Sequence, residues 1–332
     1  MSESGTAQSQ PKGSLSVLDQ LKNYTVVVAD TGDFHSIKQY EPRDATTNPG
    51  LILNSACDAQ YSDLVDEVVF NANKEGVTDG EAVMDSLLVK FGVSILEIVP
   101  GRVSTEVDAR LSFDIKSSLE KARALIARYE SLGYDRERVL IKLATTWEGV
   151  EVSRVLEKEG IHCNMTLLFS MAQAVACAEA NSKLISPFVG RILDWFREKT
   201  GEEYEGDKDP GVLSVTEIYN YYKKFGYPTE VMAASFRNTN EIKELVGCDL
   251  MTIGPKFLEE MQNDFAEIPE KLNVETSRES DATRMDMNES TFRFLMNQDE
   301  MAHFKLAEGI RKFSNDVESL GNLLNEKLSK IS

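Results

Sequence analysis

Eight short runs, most of them apolar and β-branched, recur along the chain, each followed by a stretch with helical signals. This alternation restricts the fold more than any other feature. The runs are TVVVAD (25–30), DATTN (44–48), RVSTEV (102–107), VLIKLA (139–144), HCNMTLLF (162–169), LISPF (184–188), EVMAAS (230–235) and LMTIG (250–254). The second is polar and is read as a strand only from its place in the series. Strand then helix, repeated eight times, predicts an α/β chain folded as a (β/α)8 barrel. An open doubly wound sheet has the same element order, but it calls for a glycine-rich first turn that is missing here.

Helix starts are marked by capping boxes. Ser117 with Glu120, Thr145 with Glu148, and Ser214 with Glu217 each form one, and Asn238 opens a further helix that stops at Gly247. Residues 269–290 are polar and read as loop. Beyond them Leu306, Ile310, Phe313, Val317, Leu320 and Leu324 step by four and three. Such a stripe predicts an additional C-terminal helix with one apolar face, packed on the barrel exterior. The expected organisation is a disordered polar tail over 1–20 and a single barrel domain over 21–332.

The formal net charge of −19 excludes nucleic acid and anionic membrane as main partners. An anionic ligand would need a local basic spot in an acidic body. The first residues lack the apolar region of a signal peptide, and the four cysteines are scattered without a CxxC, which points to a reducing cytoplasm. With three histidines, no HExxH, no P-loop and no GxGxxG, neither a metal nor a cofactor is expected.

Polar residues sit near the C-terminal ends of the apolar runs: Asp30, Asn48, Glu106, Lys142, Asn164, Thr166, Ser186 and Ser235. Residues two apart in a strand share a face, so Thr46 joins Asn48, Asn164 joins Thr166, and Ser235 joins Arg237. Taken singly each has an ordinary reading. Asp30 alone is a turn residue or helix cap, Glu106 is a loop charge, and Lys142 is a lysine snorkelling to the rim. One cavity at the C-terminal mouth of a barrel accounts for all of them together.

That cavity has a definite chemistry. A lysine in a low-dielectric strand has its charged form disfavoured. A neutral amine attacks carbonyls and forms a Schiff base, whose iminium is an electron sink for the neighbouring carbon. Asp30 and Glu106 can move the protons this requires. Asparagine and serine can hold sugar hydroxyls, and Arg191 and Arg237 suit a phosphate. The residues fit a Schiff-base aldol enzyme acting on a sugar phosphate.

Long ordered stretches resemble the class I transaldolase family: TVVVADTGDF (25–34), DATTNP (44–49), IVPGRVSTEVDARLSFD (98–114), VLIKLATTWEG (139–149), IHCNMTLLFS (161–170), SPFVGRILDW (186–195), DPGVLSV (209–215), ASFRN (234–238) and EGIRKFSNDV (308–317). The resemblance implies that Lys142 forms the Schiff base and that Asp30 moves the proton of the hydroxyl beside the bond being cleaved. It implies Glu106 as the acid/base acting through a water that Thr166 helps to place. Asn48, Asn164 and Thr46 would contact hydroxyls, Ser186 the dihydroxyacetone unit, and Phe188 would be a wall of the site. Arg191, Ser235 and Arg237 would take the phosphate. It also implies transfer of dihydroxyacetone from sedoheptulose 7-phosphate to glyceraldehyde 3-phosphate, giving erythrose 4-phosphate and fructose 6-phosphate, without cofactor. Family members act in the cytosol and are often homodimers. Gly50 and Gly254 depart from the family's usual serines, at positions with no assigned chemistry. A lyase that releases free dihydroxyacetone would use the same residues, and a sugar-phosphate-binding scaffold with a dead site would have lost some of them.

Overall fold

A computed structural model describes residues 15–331. All eight predicted strands are present: β1 (Val26–Asp30), β2 (Asp44–Thr46), β3 (Val103–Glu106), β4 (Val139–Ala144), β5 (Cys163–Leu168), β6 (Leu184–Pro187), β7 (Glu230–Ala233) and β8 (Leu250–Ile253). They run parallel in sequence order, and β8 pairs with β1 to close the barrel. Helices lie between the strands, as the alternation predicts.

The two-residue period sorts the interior into layers. At the N-terminal end Arg102 bonds Asp44 and Glu230, at 3.0 and 2.8 Å, joining β2 to β7 through the residue before β3. Burial alone would push the Asp44 carboxyl up, but the hydrogen bond from Arg43 and the Arg102 charge hold it below its usual range. Above this plug lies an apolar disc of Val28, Leu140, Leu184, Met232 and Leu250. Two residues further along the same strands come Asp30, Lys142, Ser186 and Thr252. An apolar floor thus separates one polar layer from the other.

Helix starts differ in detail from the expected boxes. Asp114 caps the Ile115–Ser131 helix, Thr146 the Trp147–Lys158 helix and Asp209 the Pro210–Phe225 helix. In two cases a nearby aspartate takes the role expected of a serine, because a carboxylate is an equally good acceptor for the free amides. Asn238 caps as expected. Within 269–290 a short helix, Val274–Arg278, interrupts the loop.

Residues 1–14 of the expected tail lie outside the described residues. Its last part is ordered: Val17–Leu21 is a helix capped by Ser16, with Val17 and Leu18 fully buried. Val17, Leu18 and Leu21 supply an apolar face that composition over 1–20 conceals.

The largest correction concerns the C-terminal end. Two helices occur there, Glu289–Gln298 and Glu300–Ser329. The second does not lie on the outer wall alone. It contacts the Pro49–Cys57 helix, the Ala109–Leu111 turn, β5 and the Val189–Thr200 helix, so it crosses the mouth at the C-terminal ends of the strands. Gly309 meets β5 where the strand register shifts and Leu167 takes a positive φ of 53°. A Cβ at Gly309 would stand 2.5 Å from Leu167 Cδ2. The apolar stripe is buried as read, but its partners include the barrel mouth.

Candidate active site

Lys142 stands in the middle of β4 and is 5% exposed. Its register partners are Glu106 on β3 and Asn164 on β5. Nζ donates to the backbone carbonyl of Thr47 at 3.1 Å and lies 3.3 Å from Glu106 Oε2. The lysine is therefore held inside the barrel, with no reach to the rim.

Asp30 closes β1 and accepts a hydrogen bond from Thr46 Oγ1 at 3.1 Å. Thr46 also shares a 2.6 Å hydroxyl–hydroxyl bond with Thr252 on β8. Burial pushes the Asp30 carboxyl above its usual range, opposed by the Lys142 charge and the Thr46 hydrogen bond. Burial raises Glu106 as well, again opposed by Lys142. Two carboxyls that keep protons above the ordinary acid range beside a buried amine are placed for proton transfer.

A cavity of about 50 Å³ opens above them. Of the sequence-predicted residues, Asp30, Thr46, Asn48, Lys142, Thr166, Ser186, Phe188, Arg191 and Ser235 line it. Three do not. Glu106 faces Lys142 and lines a neighbouring cavity instead. Asn164 is fully buried in the strand layer, donating to Ser104 Oγ at 3.0 Å and accepting from Ser186 Oγ at 2.6 Å. Arg237 sits at the rim, where its fork grips Asp194 at 2.7 and 2.9 Å. Its remaining nitrogen points to Ser235, 3.4 Å from Oγ.

Other side chains carry the rest of the geometry. Asn48 caps the Pro49–Cys57 helix through Oδ1, which fixes its amide at the mouth. Thr166 Oγ1 is buried with no hydrogen-bond partner among the described residues. Arg191 takes no hydrogen bond or ion pair from any described residue. Its guanidinium stacks on Phe188 at 4.8 Å and on Phe313 at 5.6 Å. Burial and the neighbouring Arg237 charge lower its pKa from the usual arginine value. The guanidinium is half-buried and makes no ion pair among the described residues, although the Glu308, Glu106 and Asp30 charges act on it from farther away.

Sequence reasoning missed Ser104, Thr252, Phe313 and Asp194. Thr252 obeys the same strand-end rule as its neighbours and was legible. Phe313 was read only as part of a helix stripe. The Thr47 carbonyl is backbone, and no side-chain pattern marks it.

The model of a family described as Transaldolase/Fructose-6-phosphate aldolase matches residues 27–324. A transaldolase of Thermosynechococcus vestitus is 56% identical over 96% of this chain and 83% of its own length. A probable transaldolase of Drosophila melanogaster is 55% identical, over 98% of this chain and 99% of its own. A transaldolase of Saccharomyces cerevisiae is 53% identical, over 97% and 98%.

Proposed function

Because this chain belongs to the transaldolase/fructose-6-phosphate aldolase family, we propose that its barrel acts as a transaldolase through a Schiff base on Lys142. The reaction is transfer of an aldehyde or ketone residue between sugar phosphates. The observation that carries the mechanism is the Lys142 amine, buried between Glu106 and the Thr47 carbonyl at the floor of a polar cavity.

The Lys142 amine attacks the C2 carbonyl of a ketose phosphate, sedoheptulose 7-phosphate or fructose 6-phosphate. Glu106 supplies and removes the protons for carbinolamine formation and loss of water, with Thr166 Oγ1 as the second group holding that water. Asp30 takes the proton of the C4 hydroxyl. The C3–C4 bond breaks, its electron pair enters the iminium, and an enamine of dihydroxyacetone stays on Lys142 while the aldose phosphate leaves. Glyceraldehyde 3-phosphate or erythrose 4-phosphate then accepts the unit by the reverse steps. Ser186 and Asn48 contact hydroxyls, with Asn164 fixing Ser186 from below. Phe188 walls the pocket, and Arg191, Ser235 and the free edge of Arg237 take the phosphate. No described helix is long and apolar enough to cross a membrane. A homodimer and a cytosolic location complete the reading, as the family resemblance implies.

Borohydride with fructose 6-phosphate tests it. Intact mass should show one three-carbon adduct, absent from Lys142→Ala. An equal adduct on the variant would sink the assignment. Dihydroxyacetone released without an acceptor aldehyde would make the enzyme a lyase instead.

A further inference from the structure

Behind the rim two carboxyl groups face each other with almost no access to solvent. Asp209 is 2% exposed and caps the Pro210–Phe225 helix, accepting from the amides of Gly211 and Val212 at 2.7 and 3.4 Å. Glu241 is 1% exposed, and its Oε2 accepts the backbone amide of Arg237 at 2.6 Å. The Asp209 and Glu241 carboxyls act directly on each other, and Glu241 Oε1 is buried with no hydrogen-bond donor among the described residues. Two buried carboxylates acting on each other repel when both are ionised, which favours one of them keeping its proton.

The surrounding charges do not change this. Arg197 of the Val189–Thr200 helix acts on Asp209, but its guanidinium is bonded to Glu203 at 2.7 Å. Arg237 acts on Glu241 while gripping Asp194. Asp207 and Lys208, in the adjoining Gly206–Lys208 turn, are exposed. Lys243 and Glu244, on the helix that carries Glu241, pair away with Asp264 and Lys271. Burial, with the Asp209 charge acting in the same sense, pushes Glu241 up to about 7.

The loop these groups hold has little slack. Ser235 takes a left-handed φ of 61°. Gly190 is packed so closely that a Cβ there would meet Ser235 O at 2.5 Å and Arg237 Cγ at 2.6 Å. A shift of Glu241 therefore moves Arg237.

We propose that Asp209 and Glu241 share one proton, and that this proton makes them positioning residues that hold Arg237 against the phosphate of the substrate. The inference rests on the phosphate reading of Arg237 given above. With the proton present, Asp209 and Glu241 stay in contact and the Arg237 amide stays bonded. Without it, the two carboxylates repel and Glu241 moves with its loop. The protonated pair is the low-pH form, so binding weakens as pH rises through neutrality. The second ionisation of a sugar phosphate, near pH 6, works the other way by adding charge for the arginines, so the two effects have opposite signs.

The test is KM against pH from 6 to 9, for fructose 6-phosphate and for unphosphorylated glyceraldehyde as acceptor. KM for the phosphorylated sugar should rise about fivefold through neutrality, the size of one weakened hydrogen bond, and KM for glyceraldehyde should show no such limb. Glu241→Gln should lack the limb, because an amide donates to Asp209 and still accepts from Arg237. Asp209→Asn should lack it too while keeping the helix cap, and decides the matter if the first variant fails to fold. A parent without the limb, a limb of equal size in the variants, or the same limb for glyceraldehyde overturns the proposal. Arg237→Ala separates the two failures: an unchanged KM for fructose 6-phosphate at pH 6 removes the phosphate reading itself. A raised KM, with the limb intact in Glu241→Gln, removes only the shared proton.

Discussion

Lys142 lies within an apolar disc's reach of the barrel floor and still carries its amine to a carboxylate and a carbonyl. The strand pattern made the lysine legible as an anomaly, but not the Thr47 oxygen that receives it. Asp30 and Glu106 stand on β1 and β3, so in the proposed mechanism they serve different steps. Asp30→Ala should form a six-carbon adduct with fructose 6-phosphate and cleave it slowly, whereas Glu106→Ala should form it late. General acid–base help is worth about 10²–10⁴-fold, which single-turnover mixing with borohydride quench resolves. Equal rates on both variants would refute the division. Burial also sets a sign for stability. The Asp30 pKa is raised from 3.8, so the folded state loses stability as pH rises from there through the raised value. Asp30→Asn keeps an acceptor for Thr46 and leaves Glu106 beside Lys142. It should raise the melting temperature at pH 7, by about 1 kcal/mol of stability, with the gain vanishing near pH 3.

At the scale of elements, the strands were legible because inward positions alternate with outward ones and the apolar runs are short. The helix starts were less so: Ser117 and Asp114 are both good caps, and only the path of the preceding turn selects between them. The terminal helix shows the firmest limit. Its stripe says that one face is buried, not which surface covers it, and Phe313 ends up against Arg191. Gly309 gives this docking a test. An added methyl must push Leu167 or the helix, so Gly309→Ala should cost about 1–3 kcal/mol in denaturant unfolding and weaken binding of sugar phosphates. A variant as stable and as active as its parent would show that the contact has room. Ser235 offers the opposite sign. Its left-handed backbone is strained for a residue with a Cβ, by about 1–3 kcal/mol. Ser235→Gly should therefore unfold at higher denaturant while its KM for phosphorylated substrates rises. If stability falls, the conformation carries no strain.

Across the whole molecule, two polar layers occupy opposite ends of one barrel. The Arg102 plug ties β2 to β7 beneath the apolar disc, so Arg102→Ala leaves buried Asp44 to Arg43 alone and frees Glu230. The expected loss is about 1–3 kcal/mol of stability, with the yield of trapped adduct per folded molecule unchanged. A proportional loss of adduct in the folded fraction would mean that the two polar layers communicate. The Asp44 carboxyl is held low, so this contribution is present above the ordinary carboxylate pKa and is lost as pH falls through the depressed value. The helix across the mouth sets an order in time. Lys142 is synthesised roughly 190 residues before that helix ends at Ser329, and the strand that closes the barrel comes late as well. At about 5–20 residues per second, on the order of ten to forty seconds separate the making of the amine from the making of its enclosure. Through that interval Lys142 is a lysine like any other on the growing chain, and the reactivity proposed for it waits until translation has delivered the last wall of the room it stands in.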